Sequence, residues 1–104
     1  MPRNPPPTTD LAIPRSARLR ETLTAASRKE GNRITVERYG PCYRKGAPVE
    51  WLRWTVTRPD GTSDRWGRQY TGANLAGLDY EFAEMERDFT ADARITDVTR
   101  TQGA

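Results

Sequence analysis

The stretch that decides the fold is "EWLRWTVTRPDGTSDRWGRQY", residues 50–70, which holds all three tryptophans of a 104-residue chain. At its centre stands Arg58-Pro59-Asp60-Gly61. Proline presets φ for the first central turn residue, aspartate suits the second, and glycine takes positive φ without steric cost. That is the signature of a type I turn closed by a glycine bulge, the common three-residue hairpin loop. With Arg58 facing Thr62, Trp54 lies opposite Trp66, Leu52 opposite Arg68 and Val56 opposite Asp64. On the other face Trp51 meets Gln69, Arg53 meets Gly67 and Thr55 meets Arg65. This register predicts strands at about 50–58 and 62–70, with Trp54 and Trp66 paired in the core. Trp51 is then left among arginines on the opposite face.

Working outward, "RITVERY" at 33–39 reads as a third strand by its β-branched content. Gly40, Pro41, Gly46 and Pro48 mark the residues between it and the hairpin as a ten-residue connection. Downstream, Leu75, Leu78, Phe82, Met85 and Phe89 recur at helical spacing, and predict an amphipathic helix at about 72–89 with Thr71 as N-cap. Upstream, Leu19, Leu23 and Ala26 also recur at helical spacing, and suggest a basic helix at about 15–29 closed by Gly31. Residues 94–99 read either as a short last strand or as a fraying end. Residues 1–13, with four prolines, read as a disordered arm, and 14–100 as a single domain. The expected fold is α+β. A three-stranded antiparallel meander carries an amphipathic helix on one face and is preceded by a basic helix.

Composition narrows the function. There is no histidine and a single cysteine, Cys42. Imidazole-based triads, His-ligated metals and a structural zinc are therefore excluded, as is an internal disulfide. Cys42 lies beside Arg44 and Lys45 but lacks a partner base. No enzyme activity, cofactor or metal is expected. No apolar run of membrane-spanning length and no signal-peptide pattern occurs, so a cytoplasmic protein without membrane contact is expected. Of 17 basic residues, 15 are arginine; residues 1–70 carry 14 basic against 7 acidic groups, and residues 71–104 carry 3 against 7.

This polarity points to an anionic partner for the first part of the chain. Trp51, Arg53, Arg65, Gln69 and Tyr39 share the predicted open sheet face. Arginine forks match guanine edges and phosphates, and aromatic rings stack on bases. Arg15, Arg18 and Arg20 on the predicted first helix would add phosphate contacts. Residues 33–89 thereby resemble the three-stranded-sheet-plus-helix DNA-binding modules of some plant transcription factors and phage integrase arms. The resemblance implies sheet-mediated DNA binding. A second reading is a protein-binding adaptor or inhibitor, of the kind small phage and plasmid accessory proteins provide. It would use either the Trp51 patch or Glu81, Glu84 and Asp88 on the acidic helix. Homo-oligomerisation through an exposed sheet edge is a third possibility.

Overall fold

The computed structural model describes residues 12–103; the expected arm at 1–13 lies almost wholly outside the described residues. Five strands form one antiparallel sheet: β1 (Leu19–Ser27), β2 (Arg33–Arg44), β3 (Ala47–Thr57), β4 (Ser63–Thr71) and β5 (Ile95–Gln102). Their order across the sheet is β4-β3-β2-β1-β5. Two helices lie between β4 and β5, a single turn α1 (Gly72–Ala76) and the longer α2 (Leu78–Ala91). They carry the chain from one edge of the sheet to the other, across one face.

The turn at 58–61 forms as its residues dictate. Gly61 N donates to Arg58 O at 2.9 Å, Arg58 N donates to Thr62 O at 2.8 Å, and Gly61 takes φ 91°. The register it sets is the expected one, with Trp54 opposite Trp66, Leu52 opposite Arg68 and Trp51 opposite Gln69. The two stacked indoles of Trp54 and Trp66 lie 6.4 Å apart and within 4° of parallel. The helical stripe is also as expected. Leu78 and Phe82 are buried against Leu23, Val36, Leu52 and Tyr70, while Leu75, Met85 and Phe89 pack around that centre. Gly77 separates α1 from α2, so the predicted single helix is broken there.

The basic helix expected at 15–29 is a strand instead. Residues 19–27 form β1, inserted between β2 and β5, so the sheet has five strands rather than three. The inward-facing positions of β1 are Glu21, Leu23 and Ala25, all buried. One charge, one leucine and one alanine do not read as apolar alternation. Thr22 and Thr24 on the opposite side supply the β-branched content that favours a strand. The expected connection at 40–49 is likewise structured: β2 and β3 continue through it, broken only by a bulge at Gly40-Pro41, to a tight turn at Lys45-Gly46.

Candidate functional site

Beyond Cys42 and Val49, β2 and β3 leave the rest of the sheet. Pairing of β1 with β2 reaches no further than Tyr39, and that of β4 with β3 no further than Val49. The two strands continue as a free ribbon, with Tyr43 opposite Pro48 and Arg44 opposite Ala47. All of residues 43–48 are exposed. Lys45 at φ 51° and Gly46 at φ 79° give the two positive-φ residues that a type I′ hairpin turn requires. Tyr43, at 63% exposure, is one of two large exposed aromatic residues among the described residues.

The segment before β1 docks at the base of this ribbon. Gly40 N donates to Arg18 O at 2.9 Å, and Ser16 Oγ lies 3.4 Å from Cys42 Sγ. Arg15 and Arg18, both exposed, are thereby brought to the same end of the molecule as Arg44 and Lys45. Neither 12–18 nor 40–48 contains an acidic residue. Sequence reading placed Arg15 and Arg18 on a helix and missed the ribbon. The signal was present in the pair Lys45-Gly46 flanked by residues able to pair, but Pro41 and Pro48 masked it.

The uncovered sheet face carries Tyr39, Trp51, Arg53, Arg65 and Gln69 in adjacent register positions, as expected. Trp51, however, is fully buried at 0% exposure. The Arg44 guanidinium lies 5.8 Å from its ring centre, and its Nε1 donates to Gln69 Oε1 at 3.3 Å. The expectation of an accessible indole is thus corrected: the register placed Trp51 on the right face, but its neighbours close over it. Trp54 and Trp66, expected as core, are only half-buried at the margin of the helix-covered face. Arg53 lies 5.5 Å over the Tyr39 ring, whose hydroxyl donates to Glu37 at 3.0 Å. Burial, then that carboxylate, pushes the Tyr39 phenol up from its ordinary value. Arg65 is exposed.

Arg20 does not join either surface. It pairs with Glu50 at 2.8 Å, at the rim of a buried ionic cluster on the helix-covered face. Arg38 is the centre of that cluster, 3% exposed between Glu21 and Glu50, each 6% exposed. Its Nε donates to Glu50 Oε1 at 2.8 Å, and its Nη1 to Glu21 Oε2 at 2.9 Å and Asp79 Oδ1 at 2.6 Å. Arg100 reaches Glu21 at 2.7 Å and Glu86 at 3.1 Å. Burial alone would raise the Glu21 carboxyl; the hydrogen bonds from Arg100 and Arg38 outweigh it and hold the carboxyl below its ordinary value. Asp79 is held low by its hydrogen bond from Arg38. Every member has an oppositely charged partner, the condition under which buried ions are tolerated. The cluster is structural: it ties β1, β2, β3, β5 and α2 together.

Glu81, Glu84 and Asp88 come together as expected on one flank of α2. With Trp54, Arg68 and Met85 they line a shallow groove of about 230 Å³. Glu81 accepts a hydrogen bond from the Tyr70 hydroxyl at 2.5 Å, and burial followed by this carboxylate drives the Tyr70 phenol far above its ordinary value. Among the described residues no three acidic, cysteine or histidine groups converge as a metal site, and no helix is long and apolar enough to cross a membrane. Comparison of the chain with known family models, with curated proteins and with solved structures gives no match in any of the three.

Proposed function

We propose that this protein is a non-enzymatic DNA-binding module that works through its basic β-ribbon. The observation that carries this reading is the free hairpin tip at 43–48, exposed along its whole length and joined at its base by Arg15 and Arg18. A B-DNA major groove is about 12 Å wide and admits a two-stranded ribbon. The whole five-stranded sheet, with strands about 4.8 Å apart, spans about 19 Å and does not fit face-on. The ribbon therefore replaces the open sheet face as the reading element. Tyr43 and Lys45 enter the groove, Arg44 leaves the Trp51 ring to join them, Arg15 and Arg18 hold phosphates, and Arg53 and Arg65 stand by as flanking backbone contacts. Fluorescence anisotropy on a random duplex at low salt tests this. Micromolar binding that Lys45→Glu weakens supports it; absence of binding, or binding indifferent to Arg44→Glu and Lys45→Glu together, removes it.

The groove on α2 favours a second reading, a protein-binding adaptor. Its floor is apolar through Trp54 and Met85 and its rim carries three carboxylates, which suits a basic segment of a protein partner. Charge reversal at Glu81 and Glu84 abolishes such binding and leaves DNA binding intact.

A further inference from the structure

The edge strand β4 pairs on one side only. Because Arg58 and Thr62 form a hydrogen-bonded pair, so do the pairs 56/64, 54/66 and 52/68 that follow in the same register. Ser63, Arg65, Gly67 and Gln69 therefore turn their N–H and C=O groups away from β3. Among the described residues no strand takes them up. Proteins normally guard such an edge with a bulge, a proline, a very short strand or charged side chains, and of these β4 carries only charges, Asp64, Arg65 and Arg68. The opposite edge, β5, is guarded: its ladder with β1 is interrupted, and Asp97 sits at φ 57°. β4 runs for nine residues with no break in its ladder.

We infer that β4 is a homodimer interface, pairing antiparallel with β4 of a second copy about a two-fold axis at Trp66. The sequence of β4 is self-complementary in that register. Arg65 faces the partner's Gly67 and Ser63 faces the partner's Gln69, all through groups already directed outward. On the helix-covered face Asp64 stands opposite the partner's Arg68, twice by symmetry, and Trp66 stands opposite the partner's Trp66. These are non-hydrogen-bonded positions, where facing side chains are closest. A shift of the axis to Arg65 sets two arginines against each other; a shift to Gly67 loses both ion pairs. Among the described residues Arg68 forms no ion pair within its own chain; its guanidinium lies 5.4 Å over the Trp54 ring. Asp64 is bound to Arg58 at the exposed hairpin end, with 62% of its side chain exposed. The dimer extends the indole pair of each chain into a row of four.

Sedimentation equilibrium tests this on the full chain. The wild type is expected at twice the 11.8 kDa of one chain. Asp64→Arg and Arg68→Asp are each expected as monomers with unchanged circular dichroism, since each sets like charges together. Mixed in equal amounts, the two variants restore opposite charges at both positions, and the dimer returns. A wild type that remains monomeric from micromolar to millimolar concentration overturns the proposal. So does a mixture that stays monomeric, or a dimer that neither variant dissociates. Should either variant fail to fold, amide hydrogen exchange on the wild type decides. Arg65, Gly67 and Gln69 are protected in the dimer and lose protection on dilution; fast exchange at all three at high concentration overturns it. DNA binding is not needed for any of these outcomes.

Discussion

Arg38 and Glu50 meet at 2.8 Å on neighbouring strands, a guanidinium and a carboxylate both almost entirely sealed from water. Each is expensive to bury alone; Arg38 is also held by Glu21 and Asp79, and Glu50 by Arg20, so burial is tolerated through the whole cluster. Arg38→Met is therefore expected to cost about 3–5 kcal/mol, because it removes the buried cation that Glu21 and Glu50 share and leaves each with a single, less buried arginine, Arg100 and Arg20 respectively. Urea denaturation measures this. Replacing Glu21 and Glu50 with leucine in the same protein should recover most of the loss.

The cluster also sets the response to acid. Glu21 and Asp79 titrate below their ordinary values of 4.5 and 3.8. Groups depressed in this way contribute their full stability above the ordinary value and lose it as pH falls through the folded one. Thermal melts should be nearly flat from about pH 7 to about pH 5 and then fall steeply. Glu21→Gln should melt lower at neutral pH and show a shallower fall in acid. A parallel fall in both proteins would assign the acid response to other groups.

Trp54 and Trp66 stack within 4° of parallel across the hairpin. A double-mutant cycle with alanine at both positions should give a coupling energy of about 0.5–1.5 kcal/mol. Chemical denaturation of the four proteins reads it out. A coupling near zero would mean that each indole packs on the sheet independently of the other.

At the ribbon tip, binding and stability should pull in opposite directions. Lys45 holds φ 51°, a conformation that asparagine adopts more readily than lysine. Lys45→Asn is expected to raise the melting temperature while weakening DNA binding. The salt dependence separates this role from that of the phosphate contacts. Arg15, Arg18, Arg53 and Arg65 together give a slope of about −3.6 in log affinity against log salt; Arg15→Ala lowers its magnitude by about 1, whereas Lys45→Asn leaves it nearly unchanged. Anisotropy titrations at several salt concentrations measure that slope.

The parts of the fold legible in the sequence were those encoded by neighbours. Pro59, Asp60 and Gly61 sufficed to set the β3/β4 register, and Leu75, Leu78, Phe82, Met85 and Phe89 to mark the helical face. β1 was not legible, because its inward side begins with Glu21 and satisfies that charge with arginines far along the chain. The two arginines that donate to Glu21, Arg38 and Arg100, lie 17 and 79 residues away. A carboxylate facing a core reads as surface until its partners are known, so Leu19, Leu23 and Ala26 appeared as a helix. The candidate site shows the same division. The register put Trp51, Arg53 and Arg65 on one face, but local spacing says nothing of whether a guanidinium folds down over an indole. The ribbon was hidden because Gly40, Pro41 and Pro48 signal interruption, whereas here they bend and edge a hairpin that continues past them.

The 79-residue separation between Arg100 and Glu21 has a kinetic side. β1 is an interior strand, yet one of its two neighbours is the final strand to form along the chain. Until β5 arrives, the growing sheet ends at β1, with a bare edge and a carboxylate short of one of its cations. Helix α2 must cross the sheet before that gap can close. Assembly should therefore wait on this one distant pairing, and a nascent chain lacking β5 should be the form most prone to join the wrong partner.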